Sequence, residues 1–265
     1  MSRAQPQRRD DEPGFVLHTY AYRETSLIVE TFTQNFGRVA MVARGAKRPR
    51  SELRGVLQAF QPLLIGWWGQ QELKTLHKAE WQGGMPLPSG SALMCGFYIN
   101  ELLLKLLPRE DAHPALYGEY DTALRDLAAG SEQARVLRRF EVRLLAELGY
   151  ALPLVREAET GRAVDPSARY HYAFDRGPYA ASDASADRGR LPLVRGATLL
   201  ALSDHRYPDA ETAAEAKRLM RDVLDHYLEQ RGVESRRMVQ DLQALDDIPL
   251  PPSNAAAHLS KEQPK

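Results

Sequence analysis

From residue 15 to about residue 80, short apolar and β-branched runs alternate with turn residues. That rhythm is the signature of strands rather than helices. The runs fall at residues 15–20, 27–32, 38–43, 62–67 and 73–77, the third entered through the turn Asn35-Phe36-Gly37. Five short strands in so little chain predict a small closed barrel, because closure removes the unpaired edges. An OB-fold is the commonest five-stranded solution of this size, with an SH3-like barrel as the competitor. The barrel domain is expected over residues 14–82. Residues 1–13 are polar and expected to be disordered.

Gly83-Gly84 and Pro86-Leu87-Pro88 break the pattern, and beyond them the period becomes helical. Leu93, Phe97, Asn100, Leu104 and Leu107 fall at spacings of four and three, which predicts one core-facing helix face. Ser89 or Ser91 is suited to cap that helix, and Pro108 to stop it. Further helices are expected over residues 114–129 and 132–148, the latter with Leu137, Phe140, Leu144 and Leu148 facing the core and Gly149 just past its end. Residues 153–192, rich in Gly, Pro, Ser, Asp and charges, form an irregular excursion in which Tyr170-His171-Tyr172 and Phe174 are strand-like. A short helix is expected at residues 198–202. A longer one, N-capped by Asp209, runs to about residue 230 with Ala216, Leu219, Met220, Val223, Leu224, Tyr227 and Leu228 as its buried stripe. The expected organisation is therefore α+β and multidomain: the barrel, a helical domain over residues 89–231 and a flexible tail from residue 232.

The composition excludes more than it assigns. The 265 residues carry zero formal net charge and 43% hydrophobic residues, as expected of a folded protein of one or two domains. A single cysteine, Cys95, rules out an intramolecular disulfide and a cysteine-built zinc site, and it sits in an apolar helical pattern that suits an inert thiol. No apolar stretch is long enough for a membrane span and none resembles a signal peptide, so a cytoplasmic protein is expected. There is no phosphate-cradling glycine motif and no HExxH, and the histidines are scattered. Nothing points to an enzyme or to a cofactor.

Charge is concentrated in one block. Arg38, Arg44, Lys47, Arg48, Arg50 and Arg54 face a single acid, Glu52, and most lie in the loop after the third strand. Such a loop neutralises phosphates and releases counterions, giving sequence-independent, salt-sensitive binding. The bland alternative is a solvated loop. Tyr20, Tyr22, Phe36, Phe60, Trp67 and Trp68 are close in sequence; any exposed ones would stack on unpaired bases, although each taken alone is better placed in the core. A second cluster lies on the helix at 132–148, where Arg135, Arg139 and Arg143 line one face beside Arg138 and Val142. It suits an acidic peptide with an aromatic anchor, or is simply a solvated face paired with Glu132, Glu141 and Glu147.

The order of segments resembles a known family. Arg23-Glu24-Thr25-Ser26, Gly37-Arg38-Val39, Ala43-Arg44-Gly45-Ala46-Lys47 and Leu53-Arg54-Gly55-Val56-Leu57-Gln58-Ala59-Phe60 come first. Leu73-Lys74-Thr75-Leu76, Tyr98-Ile99-Asn100-Glu101-Leu102-Leu103, Leu137-Arg138-Arg139-Phe140-Glu141, Leu148-Gly149-Tyr150 and Ala216-Lys217-Arg218 follow. Each is weak alone; their order and spacing over residues 14–230 resemble the bacterial RecO family of DNA repair proteins. The resemblance implies an N-terminal OB-fold that binds single- and double-stranded DNA, with Lys74 joining the basic block, and a helical C-terminal domain. It implies strand annealing, and cooperation with RecR and the single-strand-binding protein to load RecA. Arg138 matches a family position that contacts the acidic tail of the single-strand-binding protein, with Arg139 and Val142 as neighbours. Many members hold zinc with four cysteines in the C-terminal domain; here residues 157–174 contain none, so packing of Tyr170, Tyr172 and Phe174 is expected to replace the metal if the excursion is ordered. An RNA-binding OB protein, a protein-binding scaffold and a hydrolase with an unfamiliar site are the rival readings.

Overall fold

Five strands, β1 (Arg8–Tyr22), β2 (Ser26–Thr33), β3 (Gly37–Ala43), β4 (Pro62–Trp68) and β5 (Leu73–Trp81), close into a barrel of order β1-β2-β3-β5-β4 in the computed structural model. All pairings are antiparallel except β3 with β5, the one that closes an OB-fold. The structure describes residues 8–181, 191–228 and 233–235. A single helical turn, α1 (Leu53–Val56), joins β3 to β4. Inside the barrel Val16, Val29, Val39, Met41, Leu63, Ile65 and Trp67 pack together.

The segment expected to be disordered through residue 13 is in strand from Arg8. Its charges misled because an edge-free barrel tolerates polar residues on the outside of a paired strand. Arg8 pairs with Trp68 and Arg9 with Trp67. Glu12 is buried and accepts hydrogen bonds from the Asn35 backbone N–H (2.7 Å) and side-chain amide (3.2 Å), so it fastens the β2–β3 turn. Gly37 ends that turn at φ 64°, and a Cβ there would lie 1.8 Å from the Asp111 carbonyl oxygen.

The helical body comprises α2 (Ser91–Leu106), α3 (Pro114–Ala128), α4 (Gln133–Glu147), α5 (Gly196–Asp204) and α6 (Ala210–Tyr227). Pro114 stands at the first position of α3, where a missing N–H costs nothing. Asp209 caps α6 by accepting from the Thr212 N–H. The expected cap of α2 does not form: Gly90 holds the N-cap position and neither serine caps it through its side chain. The core face of α2 is also displaced from the expected one. Ala92, Gly96, Ile99, Leu102 and Leu103 are buried, while Phe97 is 40% exposed and reaches sideways to Phe60. Gly96 faces the Phe60 ring, which a Cβ there would approach to 3.0 Å, so the ring would have to shift to admit a larger side chain.

Within the excursion, β6 (Arg169–Ala173) lies between β7 (Gly177–Ala180) and β8 (Leu193–Arg195) in an antiparallel sheet. The strand read from Tyr170-His171-Tyr172 is β6, and Tyr170 and Tyr172 are fully buried in the helical core. Phe174 packs at the margin, its ring 5.0 Å from that of His226. The segment expected to be a flexible tail is docked at residues 233–235 through Val233 and Ser235; the remainder, residues 229–230 of the last predicted helix and residues 182–190 lie outside the described residues.

One apolar core spans both halves. Phe15 and Phe32 point outward from the barrel and pack with Tyr117 and Tyr120 of α3, at ring-centroid distances of 5.1–5.9 Å, and Leu17 joins the same core.

Candidate nucleic-acid interface

Residues 44–52 leave β3 in a succession of tight turns, with Arg48 N–H donating to the Gly45 carbonyl and Ser51 N–H to the Arg48 carbonyl. The loop is anchored. Ala46 is fully buried against the barrel core, and the Lys47 N–H donates to the Thr25 carbonyl in the β1–β2 turn at 2.9 Å. These two contacts tie the base of the loop to the barrel, while its charged side chains stand in solvent. Arg44, Lys47, Arg48, Arg50 and Arg54 are exposed, and none has an ion-pair partner among the described residues. Between loop and sheet runs an open groove of about 760 Å³, whose lining includes Arg23, Glu24, Val42, Arg44, Arg48, Lys74 and Thr75.

The other two predicted cations differ from this set in being ion-paired and at least half-buried, although Lys74 also lines the groove. Lys74 is buried, and its ammonium lies 2.7 Å from Glu110 in the segment joining barrel to helices. Arg38 is half-buried, 3.7 Å from Glu30. Burial, reinforced by Arg109 alongside, holds its guanidinium below the usual range despite Glu30. Arg109 bonds both Glu30 and Glu72. This network, which sequence reading missed, bridges the two halves of the chain. Its only advance signal was the Arg109-Glu110-Asp111 triplet after Pro108.

On α4 the basic stripe is largely neutralised. Arg139 pairs with Glu119 and Asp126 of α3, and Arg143 with Glu147. Arg138 is buried and donates to Glu141, which also accepts from the Tyr98 hydroxyl at 2.7 Å, and more weakly to the Lys217 carbonyl of α6. Its Nε has no hydrogen-bond partner among the described residues. Arg135 and Lys217 remain exposed nearby. Val142 is half-buried at the core margin, and burial pushes the Cys95 thiol up, which keeps it protonated. Among the described residues no three His, Cys, Asp or Glu side chains are grouped to hold a metal, and no helix is long and apolar enough to cross a membrane.

The fold and this surface define a two-domain OB-fold protein with an anchored cationic loop and a helical domain sharing its core. Comparison with known proteins narrows the class. A family model described as recombination protein O N terminal matches residues 10–85, and one described as recombination protein O C terminal matches residues 87–237. The DNA repair protein RecO of Aromatoleum aromaticum is 52% identical over 91% of this chain and 100% of its own length. Those of Azoarcus sp. (strain BH72) and Nitrosospira multiformis are 51% and 50% identical, over 89% and 90% of this chain and 97% and 98% of their own. The chain belongs to the RecO family of DNA repair proteins.

Proposed function

We propose that this chain is a non-enzymatic recombination mediator that binds single- and double-stranded DNA through its barrel and the tail of the single-strand-binding protein through its helical domain. The observation that carries this reading is the set of five exposed cations, Arg44, Lys47, Arg48 and Arg50 on the anchored loop and Arg54 on α1, none with an ion-pair partner among the described residues. A fixed array of unpaired cations binds phosphates in proportion to the counterions it releases, whatever the base sequence. Arg38 and Lys74 support that surface from behind and do not themselves reach the phosphates. The acidic tail meets Arg135 and Lys217 at the α4–α6 margin, with Arg138 forming the floor and Val142 bordering the apolar side; Arg139 is committed to α3. By holding DNA and the tail on one body, the chain anneals strands, exposes coated DNA and, with RecR, favours RecA loading. No cofactor enters this scheme, and the site of action is the cytoplasm, at the nucleoid.

The test is titration of labelled single-stranded DNA over a range of salt. Arg44→Ala, Lys47→Ala and Arg48→Ala together are expected to weaken binding. They should also reduce the slope of log affinity against log salt by about 0.7 for each phosphate of the strand that is no longer neutralised. An unchanged slope removes the loop from the scheme. Stronger binding to a matched RNA oligonucleotide favours an RNA-binding protein instead.

A further inference from the structure

The aromatic residues near the basic loop separate sharply once placed. Trp67 and Phe60 are buried in the two cores. Phe36 meets Trp67 edge-on and lies under Arg9. Tyr22 is covered by Arg23, whose guanidinium sits 5.1 Å from the ring centroid. Tyr20 and Trp68 are different: they are 47% and 40% exposed on the outside of the barrel, the Tyr20 ring meeting only His18, edge-on at 4.5 Å, among the described rings.

Their positions are linked by register. Tyr20 pairs with Ile28, Ile28 with Val42, Val42 with Thr75, and Thr75 with Trp68. Side chains directly opposite one another on paired strands share a face, so these five residues form one continuous outward row across β1, β2, β3, β5 and β4. With adjacent strands about 4.8 Å apart, the row is about 19 Å long. Its three middle members are short or branched, uncharged and half-buried, which makes a shallow trough between two raised rings. Val42 and Thr75 also line the groove that Arg44 and Arg48 border. The middle of the trough is therefore flanked by Arg44 and Arg48, which have no ion-pair partner among the described residues, with Glu24 the one acid on the groove's lining.

We infer that Tyr20 and Trp68 are base-stacking platforms at the two ends of a single-strand track crossing the barrel, and that this track makes the barrel favour unpaired DNA over a bare phosphate chain. The inference rests on the DNA-binding reading above and adds what the loop cannot supply. Cations on a loop attract any phosphate chain equally, whereas exposed rings reward bases whose faces are free, as they are only in an unpaired strand. A row of about 19 Å accommodates a footprint at the short end of the range for such barrels, about four nucleotides. Trp81 provides the contrast. It is 59% exposed, but it stands at the far end of β5 opposite Leu63 and donates its indole N–H to Gln61, off the row.

The experiment compares two probes on the full chain: a labelled thymidine oligonucleotide of about twelve residues, and an abasic deoxyribose-phosphate oligomer of the same length. Wild type is expected to bind the thymidine probe at least about tenfold more tightly at equal salt. Tyr20→Ala and Trp68→Ala are each expected to lower that ratio by roughly fivefold to tenfold while leaving abasic affinity and the salt slope unchanged. Tyr20→Phe and Trp68→Phe should retain the preference, and Trp81→Ala should not alter it. Equal wild-type binding to both probes, or a preference that survives both alanine substitutions, overturns the track and leaves the loop reading standing. Wild type that binds neither probe overturns both.

Discussion

Asn100 of α2 donates its side-chain amide to the carbonyl of Leu17 on β1 at 2.9 Å, and its own carbonyl accepts the Tyr120 hydroxyl at 2.6 Å. Leu17 is the extra residue of a bulge between Val16 and His18, so it stands without a partner in β2. A helix side chain from the other half of the protein thus satisfies a carbonyl that the sheet leaves over. Burial pushes the Tyr120 phenol well above its usual value, so the hydroxyl stays a donor under alkaline conditions. Asn100→Leu leaves two buried groups unmatched, each costing about 1–3 kcal/mol. The urea midpoint should fall accordingly, and adding Tyr120→Phe should recover part of the loss. An unmoved midpoint would mean that water replaces both bonds.

Lys74 and Arg38 should behave unlike the loop cations. Lys74→Ala removes the partner of Glu110 and withdraws one link between barrel and helices. Lower thermal stability is expected, with the salt slope of DNA binding unchanged. A reduced slope with stability intact would return Lys74 to the phosphate-binding set.

Arg138→Ala takes away the guanidinium that faces the completely buried Glu141 carboxylate. Breaking a buried pair in this way costs about 3–5 kcal/mol. Arg138→Met combined with Glu141→Leu should recover part of that stability, as measured by chemical denaturation, since the Tyr98 hydroxyl loses Glu141 as its acceptor. The double variant also separates folding from recognition: failure to bind the tail peptide in a protein that is stably folded makes the Arg138 floor part of the site, and retained binding leaves the contact to Arg135 and Lys217 alone.

Glu101 ties down the residues after α6. Its carboxylate accepts from the Glu234 N–H (2.7 Å), the Ser235 N–H (2.8 Å) and the Ser235 hydroxyl (2.6 Å), and pairs with Lys105 at 2.8 Å. Burial raises its pKa, but Lys105 and Ser235 outweigh burial and hold it below the usual range. A carboxyl depressed by folding contributes fully above its unfolded value of about 4.3, and the contribution is lost as pH falls through the lower folded value. The protection factors of the amides at residues 233–235, corrected for the intrinsic pH dependence of exchange, should therefore fall selectively as pH drops below that point, and Glu101→Gln should flatten the dependence. Protection that is indifferent to pH in wild type would sink this account.

The strands were legible because each residue run carries its own alternation, and the helices because Phe140, Leu144 and the α6 stripe repeat at helical spacing. Sequence reading misjudged α2, where two faces are apolar and only the position of Phe60 decides that Gly96 turns inward and Phe97 outward. It misread residues 8–13, because Glu12 looks solvent-bound until Asn35 is brought to it. At the candidate site, the block of charge was visible but its division was not. Arg48 and Lys74 are alike in charge; Glu110, 36 residues from Lys74, makes that lysine a buried strut, while Arg48 keeps its charge in solvent. The same holds on α4, where i to i+3 spacing allowed the Arg138–Glu141 pair but could not say that both ends are buried.

The packing of Phe15, Leu17 and Phe32 against α3 gives the barrel a front and a back. The back is filled by the protein's own helices, so a strand following the slanted row of outward residues cannot go on to wind a full turn round the barrel. A long single strand would then be covered by adding copies of the chain side by side, and the number of nucleotides held by each copy would stay the same however long the strand became.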